Sequence, residues 1–107
     1  MIADTPKPPY YAVIFSSINT DAKNLEGYSL MAEFMEELAK QQPGFLGVES
    51  ARNELGITVS YWSYLESIKK WKQQADHTIA QEKGREQWYQ SYKTRIAIVE
   101  RDYGFEK

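Results

Sequence analysis

The chain has no cysteine among its 107 residues. That excludes a disulfide framework, a thiol nucleophile and a thiolate-bound cluster. It has a single histidine, His77, so a zinc site would have to recruit several carboxylates, and no metal is expected. Neither sign of charge dominates: 13 Lys and Arg stand against 15 Asp and Glu, a formal net charge of −2. This leaves no broad basic surface for phosphate contacts, so nucleic acid is not an expected partner. No apolar run approaches the ~18 residues of a membrane span. The opening Met1–Ile2–Ala3–Asp4 leads into a proline-rich stretch rather than the apolar core of a signal peptide. A cytoplasmic protein without membrane contact is the expectation. No glycine-rich fingerprint for a nucleotide is present either.

What the chain does have is concentrated. The segment Ser60–Tyr92 holds all three tryptophans, Trp62, Trp71 and Trp88, with His77, Arg85, Tyr89 and Tyr92. A lone imidazole among indoles and phenols points to an apolar chamber with few polar handles, suited to a small aromatic or apolar ligand.

Residues 1–9 carry Pro6, Pro8 and Pro9 and read as an extended arm; residues 10–107 read as a single domain. Tyr10–Ile18 is rich in aromatic and β-branched residues and predicts a first strand. A helical pattern runs from Asn24 to Gln41, with apolar residues at Leu25, Tyr28, Met31, Ala32, Met35, Leu38 and Ala39, and Pro43–Gly44 ends it. Phe45–Arg52 and Ile57–Ser63 predict strands joined by a turn at Asn53–Gly56. A second helix starts near Leu65, with Leu65, Ile68, Trp71 and Ala75 on one stripe. Thr94–Tyr103 predicts the last strand. The order βαββαβ favours an α+β, ferredoxin-like fold: an antiparallel four-stranded sheet with both helices on one face.

A sheet covered on one side only should alternate apolar and polar residues. These strands do not. Tyr11, Val13 and Phe15 oppose Ala12, Ile14 and Ile18; Ile96 and Ile98 oppose Ala97 and Val99; Ile57, Val59 and Tyr61 oppose Thr58, Ser60 and Trp62. Leaving the second face wet would forfeit ~25 cal/mol per Å² of apolar surface. The economical cover is a second copy of the sheet about a twofold axis, so a homodimer is expected. The alternative is a monomer in which the N-terminal arm or the Tyr103–Phe105 tail folds over that face.

The runs QPGFLGVES (Gln42–Ser50), TVSYW (Thr58–Trp62), SIKKWK (Ser67–Lys72), DHTIAQEKGREQWYQSYKTR (Asp76–Arg95) and IVERDY (Ile98–Tyr103) resemble the antibiotic biosynthesis monooxygenase superfamily. The match is to its small bacterial single-domain branch and covers about Tyr10 to Tyr103. The resemblance implies a ferredoxin-like fold whose sheets pair into a dimeric α/β barrel. Activities in the superfamily diverge: some members oxidise quinol- or anthrone-type rings with oxygen and no cofactor, and others bind and degrade haem. In the haem-degrading branch the iron-ligating histidine follows a helix tryptophan by ten positions. Trp71 fits that tryptophan, but the tenth position onward is Gln81, and His77 lies one helical turn earlier. The expectation is therefore no cofactor, with haem disfavoured.

Taken as continuous helix at ~100° per residue, His77–Tyr92 puts Gln81, Gly84 and Trp88 within about 40° of His77, with Arg85 and Tyr92 at the margin. His77, Arg85 and Tyr92 are the candidate catalytic residues, as base and anion donors. Trp62, Trp71, Gln81, Trp88 and Tyr89 are the candidate substrate-binding residues. Each has a plainer reading: His77 capping a helix junction, Arg85 pairing with Glu82 or Glu86, the indoles filling a core. Three functions remain open: a cofactor-independent monooxygenase, a non-catalytic ligand-binding module, and a haem-binding protein with atypical ligation through His77. The run Glu33, Glu36, Glu37 reads as a solvated helix face.

Overall fold

A computed structural model describes residues 2–20, 28–82 and 88–107, and the side chains of 28–29 and 77–82 lie outside that description. The elements follow the expected order: β1 (Tyr10–Asn19), α1 (Tyr28–Lys40), β2 (Phe45–Arg52), β3 (Gly56–Trp62), α2 (Leu65–Glu82) and β4 (Tyr89–Val99). All strand pairs are antiparallel, in the order β2-β3-β1-β4. This is the ferredoxin-like α+β arrangement.

The apolar stripes set how the helices lie. On α2, Ile68 and Ala75 are buried and Trp71 half-buried between them, while Leu65 is 52 % exposed at the helix start and leaves the expected stripe. On α1, Ala39 is buried and Met31, Met35 and Leu38 are half-buried; Glu33, Glu36 and Glu37 face outward as expected. The indole nitrogen of Trp71 donates to the carbonyl of Met35 at 3.1 Å and ties the two helices together. After α1 the chain turns at Pro43–Gly44. Gly44 takes φ +82°, a left-handed conformation that glycine alone adopts without cost, and an added Cβ there would meet the Tyr64 ring.

Strand β4 corrects the expected Thr94–Tyr103 in both directions. Its start lies five residues earlier because β1 is ten residues long and pairs along its whole length, so that Asn19 meets Tyr89 and Ser17 meets Tyr92. Its end is Val99, opposite Tyr10. Beyond that point β1 is preceded by Pro8 and Pro9, which have no N–H to offer a ladder.

The register fixes the two faces of the sheet. Val13, Phe15, Thr58, Ser60 and Trp62 look toward the helices; Ala12, Ile14, Ile18, Ile57, Val59, Tyr61 and Ala97 look away. Both faces of the central strands are largely apolar, as the alternation indicated, while β4 also brings Lys93 and Arg95 to the outer face. The N-terminal arm covers one corner of the outer face. The Ala3 amide donates to Glu49 Oε2 at 2.8 Å, and Thr5 Oγ1 donates to the Tyr10 hydroxyl at 3.0 Å. That hydroxyl in turn donates to the Asp102 carboxylate. The rest of the face stays open: Ile18 is 43 % and Ile57 40 % exposed. The C-terminal tail does not cover it, since Tyr103 and Phe105 are almost fully exposed.

Candidate functional site

Between the sheet and the two helices lies a cavity of ≈ 230 Å³. Its floor is the helix-facing side of all four strands. Across the sheet, residues align in rows: Val48, Ser60, Val13 and Ile96 form one, and Ser50, Thr58, Phe15 and Thr94 the next. The floor is thus apolar toward the Trp62 end and carries hydroxyls toward the β2–β3 hairpin. Met31 and Met35 from α1 and Trp71 and Ala75 from α2 form the roof. At the rim stand Glu36, Lys72 and Asp76. Lys72 and Asp76 pair at 3.8 Å one helical turn apart, both about half-exposed, a contact worth little to stability.

Two bulges direct aromatic side chains into this space. In a regular strand, residues three apart face opposite sides. The register of β4 slips at Gln90, between the pairs Ile18–Ser91 and Asn19–Tyr89, and turns both Tyr89 and Tyr92 to the helix side. Strand β2 slips at Leu46 and does the same for Phe45 and Val48. Phe15, Tyr89 and Tyr92 then form a three-ring cluster with centroids 5.4–5.6 Å apart. Trp88, buried just before β4, completes that end of the lining.

The candidates named from the sequence sort as follows. Trp71, Trp88, Tyr89 and Tyr92 all line the cavity. The continuous helix through Tyr92 is corrected: α2 is described to Glu82 and Trp88 is helical, but Tyr89 and Tyr92 reach the cavity from β4. Trp62 does not line it. It is fully buried behind the wall, with ring centroids 5.3 Å from Phe45 and 5.2 Å from Trp71. Arg85 lies outside the described residues, as do the side chains of His77 and Gln81.

Sequence reading missed the hydroxyls of Ser50, Thr58, Ser60 and Thr94. The signal was present in the alternation of Thr58, Ser60 and Trp62, but small hydroxyl residues on a strand carry no motif of their own.

Outside the cavity, the arm-covered corner perturbs two phenols. The Tyr61 hydroxyl donates to Glu49 Oε1 at 2.7 Å, and burial together with that carboxylate pushes its pKa up to about 12. Asp102, accepting from the Tyr10 hydroxyl, raises the pKa of Tyr10. Both groups stay protonated across the ordinary pH range and act as donors. Among the described residues, no three His, Asp or Glu side chains converge on a point that would hold a metal ion. No described helix is long and apolar enough to cross a membrane.

No protein-family model matches the chain. It is 50% identical over 99% of its length to the uncharacterized protein YqjZ of Bacillus subtilis (strain 168), covering 93% of that protein. Solved structures share the fold at low identity. A dimeric ferredoxin-like protein from an uncultured marine organism superposes with a TM-score of 0.70 at 12% identity, over 92% of this chain and 95% of that one. SnoaB, a cofactor-independent oxygenase from Streptomyces nogalater, gives 0.65 at 8% identity, over 94% and 100%. A protein of Bordetella bronchiseptica described as an antibiotic biosynthesis monooxygenase gives 0.63 at 14%, over 84% and 96%.

Proposed function

The chain belongs to the family of the Bacillus subtilis protein YqjZ and has the fold of the antibiotic biosynthesis monooxygenase superfamily, and from that premise we propose a cofactor-independent monooxygenase acting on a small aromatic compound of quinol or anthrone type. The observation that carries this reading is the cavity: apolar, walled by flat rings, and placed between sheet and helices. Its ≈ 230 Å³ lies below the ~300–1,000 Å³ of drug-sized ligand sites. That volume suits two or three fused rings.

The chemistry asks little of the protein. A base removes a proton from the phenol or carbon acid, and the resulting anion transfers an electron to O2. Recombination gives a peroxide, and loss of water from an anthrone-type CH–OOH leaves the ketone. One O2 is consumed per product; one of its oxygen atoms enters the new carbonyl and the other leaves as water. The site has to exclude solvent, hold the ring and stabilise the anion. We assign the base to His77, next in sequence to the cavity-lining Asp76. Tyr92 is the anion donor from the floor, with Arg85 a cation for the same charge. Trp71, Trp88 and Tyr89 form the ring walls and Gln81 a polar contact, with Trp62 supporting Trp71 from behind.

The working unit is a homodimer paired through the open sheet face, where Ile14, Ile18, Ile57, Val59 and Ala97 stand without cover from the same protomer's arm or tail. This places one cavity in each subunit.

Oxygen uptake with anthrone and naphthalene-diol substrates tests the reaction. The expected result is turnover above the autoxidation rate, with His77→Ala lowering it about 10²–10⁴-fold, the usual contribution of a positioned base. Turnover no faster than in buffer, or equal in wild type and His77→Ala, would overturn the assignment.

A further inference from the structure

The cavity floor carries four hydroxyls, those of Ser50, Thr58, Ser60 and Thr94, and the one on Ser60 is held by a fully buried neighbour. Ser60 and Trp62 stand two residues apart on β3, so both face the helices. Trp62 is fully buried, and its indole nitrogen donates to Ser60 Oγ at 2.8 Å. An indole offers one donor and no acceptor. The contact therefore fixes the roles: Ser60 Oγ accepts from the indole, and the serine's own proton must point elsewhere.

Ser60 is itself only 5 % exposed, and it lines the cavity. Its cross-strand neighbours on this face are Val13 and Val48, whose side chains accept nothing. Among the described residues no other side-chain partner engages its hydroxyl. A serine held in this way by a buried tryptophan is a donor aimed from an apolar floor. The next hydroxyl along the strand, Thr58, lines the same space.

We propose that Ser60 is a ligand-positioning residue whose hydroxyl donates to a carbonyl or phenolate oxygen of the ring compound, so that the ligand enters with its oxygen toward β3. The cavity thereby selects oxygen-bearing rings over hydrocarbons of the same shape. Trp62 acts only through Ser60: its N–H occupies one of the two lone pairs on Oγ and holds that oxygen in place, which leaves the serine proton for a ligand acceptor. This inference rests on the cavity being the ligand site, and its test separates the two.

The probes are 1-tetralone, whose ketone accepts and cannot donate, and tetralin, its hydrocarbon counterpart. Their binding to the full chain is measured by calorimetry for wild type, Ser60→Ala and Ser60→Cys, with a thermal melt as the check on folding. Cysteine keeps the shape but is a much weaker donor, which preserves the test if alanine unfolds the protein. The expected result is that Ser60→Ala binds 1-tetralone about tenfold more weakly, as loss of one buried hydrogen bond predicts, while tetralin binds as before. Ser60→Cys should fall between. Unchanged tetralone affinity in both variants would overturn the role of Ser60 and leave the cavity reading intact. Equal loss for both probes would overturn it too, because Ser60 would then shape the wall rather than read an oxygen. If neither probe binds wild type, the cavity reading fails and this inference fails with it.

Discussion

Tyr89 and Tyr92 are three residues apart on one strand, yet both face the helices, with ring centroids 5.4 Å apart. The bulge at Gln90 makes this possible, and Phe15 on β1 receives both rings.

That cluster separates packing from chemistry. Tyr89→Ala removes two ring contacts, each worth ~0.5–1.5 kcal/mol beyond burial, so the variant should lose about 1–3 kcal/mol in a urea titration. Tyr92→Phe keeps its ring and with it the contacts to Phe15 and Tyr89. If Tyr92 donates to the substrate anion, Tyr92→Phe should nonetheless slow oxygen uptake by about 10²-fold or more. A variant that is both stable and fully active would remove Tyr92 from the mechanism.

The same bulge marks where sequence reading ran out. Periodicity located every element of the βαββαβ order, because a strand with both faces apolar and a helix ended by Pro43–Gly44 leave local signatures. It also found the open face, since Ile14, Ile57 and Val59 depart from alternation in plain view. What it missed was the start of β4. Tyr89 and Tyr92 fit a helical stripe as well as they fit a bulged strand. The choice is made by β1, ten residues long and needing a partner along its whole length. A long-range pairing of that kind has no local mark. The separation of Trp62 from the cavity is of the same sort: an indole on an inward strand position is equally suited to wall or core. Contact with Phe45 and Trp71 decides it.

Trp71 joins the roof helices through its hydrogen bond to the Met35 carbonyl. Trp71→Phe keeps a flat ring and deletes the donor. The Met35 carbonyl lies within α1 and retains the helical bond from Ala39, so the cost should sit near ~1 kcal/mol rather than at the full penalty for an orphaned group. For a domain of this size that corresponds to about 4–8 °C in Tm, read by circular dichroism. Trp62→Ala should cost much more, about 3–5 kcal/mol, because it empties a fully buried indole site. Equal melting temperatures for these two variants would contradict the packing described.

Alkaline pH tests the arm-covered corner. Tyr61 has a folded pKa of about 12, above the ordinary phenol value of 10.0. Between those values the unfolded chain releases this proton while the folded chain keeps it, so folding stability falls as pH rises. The contribution is fully present below about pH 10 and is lost through about pH 12. Tyr10, also raised, acts in the same direction. Tyr61→Phe should flatten the decline, and spectrophotometric titration should lose a late-ionising phenol. A titration in which every tyrosine ionises as a free phenol would count against the Tyr61–Glu49 contact.

The open face of the sheet makes the last prediction. Ile18 and Ile57 lie on it at 43 % and 40 % exposure, on adjacent strands β1 and β3. Because each is already more than a third exposed in the protomer, changing both to aspartate should cost the isolated fold about 1–2 kcal/mol per site in apolar burial and strand propensity and leave it folded. In a dimer paired through this face, the same change buries four carboxylates, two from each protomer; Lys93 stands diagonal to position 18 on β4, but position 57 has no cation directly across or diagonal to it on the same face. Unpaired charges in an interface cost several kcal/mol, enough to dissociate it. Sedimentation equilibrium should therefore give twice the 12.5 kDa chain mass for wild type and a single chain mass for the double variant, with circular dichroism unchanged. A wild-type protein that sediments at 12.5 kDa would mean that the outer face of this sheet stays wet. A double variant that stays dimeric would mean that the chains pair through another surface.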